Sequence, residues 1–167
     1  MPRRPNIPHS ERNCSWARTL DILGDSWSLL VIRELMVGVD RFTLMQERLG
    51  ISKGILTARL KHLADHGLVE AIQKDKEHPR YGLTEKGYDL FAVLVGIGQW
   101  GDKWVFGKDN EPISVLDGRS GSKLAPLKVQ TTDGVTLSPE QLRFEAGPGA
   151  NDATRQSLAK LLSSKSD

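Results

Sequence analysis

The sequence predicts a mostly α-helical fold that carries one small β ribbon. Apolar residues recur at helical spacing as far as residue 66 and again from residue 84, whereas 68–72 and 80–84 have the composition of short strands. The polar stretch between these strands contains Pro79 and is typical of a loop. With 167 residues, the chain is long enough for one ordinary domain and an appendage.

Four helices are expected before the ribbon, because glycines and capping residues punctuate the helical pattern. Thr43 and Gln46 have the spacing of a capping box and predict the start of the third helix. Ser52 is the expected N-cap of the fourth helix, which Gly67 closes. The expected bounds are about 14–24, 25–38, 43–50 and 52–66.

A long helix is expected after the ribbon, from Thr84 to Trp104. Gly87, Gly96, Gly98 and Gly101 lower its helix propensity, and a kink or break is expected near residues 96–101.

The composition changes after Gly107, where glycine and polar residues become frequent. Asp133-Gly134 is the expected two-residue turn of a small C-terminal β-hairpin. The expected segments are a flexible arm (1–13), a helical domain (14–107), a linker with the hairpin (108–146) and a disordered tail (147–167).

Composition narrows the functional classes. The single cysteine, Cys14, cannot form an internal disulfide, which indicates a reducing, cytoplasmic location. No apolar run approaches the roughly 18 residues that span a membrane. The four histidines do not have the spacing of metal ligands, and no glycine-rich phosphate loop or nucleophile motif occurs, so neither an enzyme nor a cofactor is expected.

The two short helices before the ribbon have the pattern of a winged helix-turn-helix. In that arrangement the second helix enters the major groove of double-stranded DNA and the first braces it. Residues 52–66 suit this role because Leu56, Leu60 and Leu63 fall on one face and can dock the helix. The expected DNA-contacting residues on the other side are Ser52, Lys53, Gly54, Thr57, Ala58 and Lys61, with Arg59 on the flank for a phosphate. A plain amphipathic helix with a solvated face explains this pattern as well.

The loop of the ribbon is the expected wing, spanning 73–81. Lys74, Lys76, His78 and Arg80 cluster there and can reach flanking phosphates or a minor groove. Asp75 and Glu77 dilute the charge, so a solvated turn is the alternative.

From Cys14 to Trp104 the chain resembles the HxlR-type winged helix-turn-helix regulators, relatives of the MarR family. The matching segments, in order, are Cys14, 20–35, 41–44, 50–60, 67–69, 81–87 and Trp100. The resemblance implies a cytoplasmic homodimer that binds an operator as a repressor or an activator, with repression expected. It also implies a dimer interface formed by the first helix and the helix after the wing.

Large apolar groups on those helices agree with that interface, because one small domain does not need to bury so many. The alternative is that they fill the core of one subunit. The expected interface residues are Trp16, Leu20, Phe91, Leu94, Val95, Trp100 and Trp104.

Two inputs are expected for such a regulator. Cys14 is a candidate redox or electrophile sensor, because some HxlR-type regulators sense through a cysteine at this position; the alternative is a structural cysteine. The other is a small-molecule effector between the dimer helices. A protein-interaction module that does not bind DNA is the remaining functional alternative.

Overall fold

The computed structural model describes residues 8–73, 79–107 and 109–163. Two 3-10 turns, His9–Glu11 and Pro139–Gln141, and a π-helical turn, Asp102–Phe106, accompany the regular elements. In chain order those elements are α1 (Ser15–Leu23), α2 (Ser28–Met36), α3 (Phe42–Leu49), α4 (Lys53–Asp65), β1 (Val69–Gln73), β2 (Arg80–Leu83), α5 (Glu85–Tyr88), α6 (Phe91–Gly101) and α7 (Asp152–Ser163). The mostly helical fold with one small ribbon is confirmed.

The described residues fall into two compact units. The first contains the residues up to Asp21 together with those from Lys128 onward, and the second is Ile22–Leu127. The second unit holds the helix-turn-helix elements, the ribbon and α6. No helix in the described part of the chain is long and apolar enough to cross a membrane.

The core of the second unit lies between α2, α3, α4 and the ribbon. Apolar faces of these elements meet there because each has its buried residues at the period of its own secondary structure. Leu90 and Leu94, which follow the ribbon in the sequence, also pack against this core. The buried members are Leu23, Val31, Ile32, Leu35, Val39, Met45, Ile51, Leu56, Leu60, Leu63, Leu68, Val69 and Leu83.

The ribbon is an antiparallel pair with the register Val69↔Leu83, Glu70↔Gly82 and Ala71↔Tyr81, followed by an irregularity that pairs Gln73 with Arg80. Arg41 forms an isolated antiparallel bridge with Arg80, so a third segment of the chain pairs with the ribbon at its base. The two strands predicted from the sequence are confirmed.

The third helix begins two residues earlier than the capping box predicts. Arg41 is its N-cap and contributes no side-chain hydrogen bond, so Thr43 lies inside the first turn. The capping-box prediction at Thr43 is therefore wrong. Ser52, in contrast, does cap α4, because its hydroxyl accepts a hydrogen bond from the Ile55 amide at 3.3 Å.

The helix after the ribbon breaks at 89–90, a position that the sequence does not predict. Gly87 packs so closely on β1 that a Cβ there would lie 2.3 Å from the Leu68 carbonyl oxygen. The Leu90 amide then bonds the Gly87 carbonyl, three residues back, which tightens the chain before Leu90 and Leu94 dock on the core. Of the predicted range 96–101, Gly96 and Gly98 lie within continuous α6, whereas the regular α-helix ends at Gly101 and passes into the π-helical turn.

The C-terminal segment also differs from the predictions. Gln130 and Thr136 form an isolated bridge with five residues between them, and Gly134 is left-handed with φ 85°. Asp133 does not share that conformation, which a two-residue turn of the predicted type requires. Within the tail predicted to be disordered, Asp152–Ser163 is helical.

Candidate DNA-binding surface

Helix α4 has one buried and one exposed face, as the spacing of its leucines predicts. Leu56 and Leu63 are fully buried and Leu60 is 3% exposed. The residues predicted to face DNA are brought together on the exposed side: Ser52, Lys53, Gly54, Thr57, Ala58 and Lys61. Ile55, which the sequence analysis did not include, is exposed beside them.

Arg59 does not extend freely from the flank of α4. Its guanidinium lies 3.0 Å from a carboxylate oxygen of Asp25, just before α2. Asp25 also accepts hydrogen bonds from the amides of Trp27 (2.8 Å) and Ser28 (3.0 Å) and from the Ser28 hydroxyl. Burial would raise the pKa of Asp25, but these hydrogen bonds and that of Arg59 together lower it. Arg59 therefore ties α4 to the start of α2.

The two lysines of α4 differ in their partners. Lys61 forms an ion pair with Asp65 at 2.6 Å, one helical turn away, and this hydrogen bond holds the pKa of Asp65 below its ordinary value. Lys53, at the start of the helix, makes no ion pair or side-chain hydrogen bond with another described residue. Lys53 is thus the α4 cation available to an external anion.

A buried carboxylate joins α2 to α3, the helix that precedes α4. Glu34 is 1% exposed, and its two oxygens lie 2.5 Å from Arg33 Nη2 and 2.5 Å from Arg48 Nε. Burial would raise the pKa of Glu34, but the hydrogen bonds from Arg48 and Arg33 outweigh it and lower the pKa. The sequence analysis missed this cluster because the spacing of Glu34 and Arg48 has no local pattern.

His62, on the inward side of α4, links this helix to α1. Its Nε2 lies 3.0 Å from the Ile22 carbonyl oxygen, a contact that requires the proton on Nε2. The ring of His66 lies 4.4 Å from that of His62, centroid to centroid. Within the described ranges, no group of His, Cys, Asp and Glu is arranged to hold a metal ion.

The base of the wing is fixed by Arg80. Its guanidinium contacts the Asp40 carboxylate at 2.5 Å through Nη2 and at 2.8 Å through Nε. The Tyr81 amide donates to the Asp40 carbonyl at 2.9 Å. Of the predicted wing cations, Lys74, Lys76 and His78 lie outside the described residues. Arg80 is thus held by the protein itself at the start of β2.

The residues predicted for the dimer interface divide into two groups. Trp16, Leu20, Phe91, Trp100 and Trp104 are exposed. Leu94 and Val95 are half-buried, and Leu94 also packs against the core of its own unit.

An exposed apolar stripe, which the sequence analysis identified only in part, runs along α6 into the π-helical turn. Its members lie at spacings of four, three and four residues, which places them on one side of a helix. They are Val93 (48% exposed), Ile97 (50%), Trp100 (61%) and Trp104 (65%). The opposite flank is partly covered, because the Gln99 side chain accepts from the Leu127 amide and donates to the Ala125 carbonyl.

The HxlR-like helix-turn-helix family model matches residues 22–109, which contain α4, the wing and α6. The chain belongs to the HxlR-like helix-turn-helix family. It is therefore a member of a family of DNA-binding transcriptional regulators with the winged helix-turn-helix fold.

Relatives extend the similarity past the family's helix-turn-helix segment. An uncharacterized HTH-type transcriptional regulator of Mycobacterium tuberculosis, Rv3095, is 34% identical over 146 residues, covering 86% of this chain and 92% of the relative. A regulator of Synechocystis, sll1512, is 34% identical over 95 residues, covering 55% of this chain and 70% of the relative. Because a match of 146 residues cannot fit within 1–109, the similarity to Rv3095 includes part of the C-terminal segment.

Two solved structures are similar over most of the chain. PA1607, proposed to be a transcription factor, is 37% identical and superposes with a TM-score of 0.78, covering 84% of this chain and all of that one. PA1374 of Pseudomonas aeruginosa, also proposed to be a transcription factor, is 30% identical with a TM-score of 0.62, covering 86% and 99%. The C-terminal segment is thus shared with proteins of the same proposed class.

Proposed function

We propose that this HxlR-type regulator binds a specific double-stranded DNA site as a homodimer, with α4 in the major groove and the wing on flanking DNA. The observation that carries the proposal is the exposed face of α4, where small residues and an unpaired lysine lie opposite a buried leucine face. A helix of about 10–12 Å diameter fits the major groove, and small side chains let its backbone approach the base edges.

The surroundings of α4 support this role because they hold the helix rigidly from three sides. Arg59 pairs with Asp25 ahead of α2, Ser52 caps the first turn, and His62 contacts the Ile22 carbonyl. A DNA-recognition helix has to hold its side chains at fixed positions relative to the bases, and each of these contacts restrains the helix.

The α6 stripe supports the homodimer. Four large apolar side chains at helical spacing, each about half exposed or more, form a continuous patch of the kind that marks an interaction site. A two-fold arrangement through this stripe presents two copies of α4 to one DNA duplex, as palindromic sites require.

The test is fluorescence anisotropy with duplexes from the regions flanking the gene, comparing the wild type with Lys53→Ala and Lys160→Ala. Lys160, on α7, is the matched control because it is also an exposed lysine in a helix. We expect Lys53→Ala to weaken binding to the selected duplex at least tenfold, whereas Lys160→Ala stays within twofold.

The salt dependence distinguishes the contacts of Lys53. If each Lys53 of the dimer neutralises one phosphate, the slope of log K against log salt falls by about two when both are removed. If Lys53 reads a base, the slope changes less and discrimination between sequences falls. Equal binding by the three proteins, or no preference among duplexes, contradicts the proposal and favours a protein-interaction module.

A further inference from the structure

The first unit contains an open cleft that lies outside the surfaces used in the DNA-binding proposal. Its volume is about 630 Å³, and its walls are the start of α1 and the chain from Phe144 to Leu158. Clefts of roughly 300–1,000 Å³ are the usual size of small-molecule sites. Cys14 lies half-buried in this cleft.

One side chain holds the two walls together. The Asn13 amide nitrogen donates to the Gly149 carbonyl at 3.1 Å, and its oxygen accepts from the Asn151 amide at 3.0 Å and from the Thr154 hydroxyl at 2.9 Å. These bonds join segments more than 130 residues apart in the sequence. The cleft is therefore preorganised, which lowers the entropic cost of binding.

Two aromatic rings line the apolar part of the cleft. Trp16 and Phe144 meet edge to face, with centroids 6.1 Å apart and an interplanar angle of 62°. Even so, Trp16 is 69% and Phe144 48% exposed. A flat apolar ligand would cover ring surface that the protein leaves in water.

The polar part of the cleft provides one open cation. Arg18 donates from Nε to the Arg12 carbonyl at 2.8 Å, and its two terminal nitrogens donate to no other described residue. The carboxylate that also lines the cleft, Glu145, is paired with Arg143 at 2.7 Å. A guanidinium with free terminal nitrogens binds a carboxylate through two parallel hydrogen bonds.

We propose that this cleft binds a small planar aromatic carboxylate, whose ring lies against Trp16 and Phe144 and whose carboxylate pairs with Arg18. As an effector site the cleft rests on the proposed DNA-binding function, but its occupancy is measured without DNA. Failure of either proposal is therefore distinguishable from failure of the other.

The test uses Cys14 as a reporter, because it is the one cysteine of the chain. Alkylation of the full-length protein by iodoacetamide is timed with and without 2-naphthoate, and with its uncharged analogue 2-naphthamide. The variants are Arg18→Gln and, as a matched control, Arg155→Gln on α7, which does not line the cleft. Circular dichroism confirms that each variant folds.

We expect saturating naphthoate to slow alkylation at least tenfold in the wild type and in Arg155→Gln. Naphthamide should require at least tenfold higher concentration for the same protection, and Arg18→Gln should remove that difference. An alkylation rate that millimolar naphthoate leaves unchanged overturns the site. Equal protection by the acid and the amide overturns the role of Arg18, as does unchanged acid preference in Arg18→Gln.

Discussion

Replacing Arg48 by methionine should destabilise the second unit by about 3 kcal/mol, because it leaves the Glu34 carboxylate buried with one of its two partners. Glu34 is 1% exposed, and Arg48 Nε lies 2.5 Å from one of its oxygens. Removing one member of a buried ion pair costs about 3–5 kcal/mol. The lower end applies because Arg33 remains in place and because Arg48 itself is half exposed.

The reciprocal substitution should cost less. Glu34→Gln leaves two arginines whose side chains are 45% and 50% exposed and can turn towards water. We therefore expect a loss of about 1–2 kcal/mol, the cost of weakened hydrogen bonds to a buried polar group. The inequality between the two variants is the signature of an uncompensated buried charge.

Acid should reduce the effect of Arg48→Met. The folded-state pKa of Glu34 is lowered, so Glu34 stabilises the fold above its unfolded pKa of about 4.3 and loses that contribution as the pH falls through the folded pKa. Removing Arg48 raises the folded pKa, so the variant and the wild type differ most near pH 7. Once Glu34 is protonated in both proteins, the difference in unfolding free energy becomes small.

The assay is urea unfolding followed by circular dichroism at a series of pH values, with Arg155→Met as the control for loss of an exposed arginine. The control should change the free energy of unfolding by no more than about 0.5 kcal/mol. The reasoning is refuted if Arg48→Met costs no more than this control, if Glu34→Gln costs more than Arg48→Met, or if the cost of Arg48→Met does not decrease towards acid pH.

Two further predictions concern α5 and α6. Gly87→Ala should lower the free energy of unfolding by about 2 kcal/mol or more, because the new Cβ would lie 2.3 Å from the Leu68 carbonyl oxygen. Gly98→Ala, whose Cβ would have nothing within 4 Å, should raise it by about 0.5–1 kcal/mol in the same urea unfolding. Equal effects of the two substitutions contradict the packing of α5 described above. Trp100→Ala should shift the chain towards monomer in analytical ultracentrifugation, whereas Val37→Ala, at an exposed apolar residue outside the predicted interface, should not; a dimer insensitive to Trp100→Ala rules the stripe out.

The parts of the fold that the sequence predicts correctly are those fixed by local interactions. Helix α4 is the clearest case: Ser52 accepts from the amide three residues on, and Gly67 takes the left-handed conformation, φ 67°, that ends the segment. Both signals lie within a few residues of the boundary that they determine. The leucine spacing then predicts which side of α4 is buried, because the helix has a single apolar face.

The predictions failed where distant residues decide the conformation. The break at 89–90 depends on the contact of Gly87 with Leu68, and the low helix propensity of Gly87 does not by itself indicate that contact. Helix α7 has no buried residue, and its first turn is held by Asn13, which is far away in the sequence. The partners of Arg59 and Arg48 likewise lie on other elements.

These pairings change how the charge of the helix-turn-helix segment should be interpreted. By sequence, residues 41–86 contain nine basic and six acidic residues, a small positive excess that either DNA binding or a mixed solvated surface explains. In the structure, Arg48, Arg59, Lys61 and Arg80 each have a carboxylate partner, and Lys86 donates to the His66 carbonyl.

Among the described residues of this segment, only Arg41 and Lys53 keep side-chain charges that make no ion pair or hydrogen bond. If the two subunits of the proposed dimer each bring these two cations to phosphates, the four contacts contribute about 3.6 to the slope of log K against log salt, since each phosphate contact contributes about 0.9. Within the described part of this segment, the small residues on the exposed face of α4 are then the groups placed to distinguish bases.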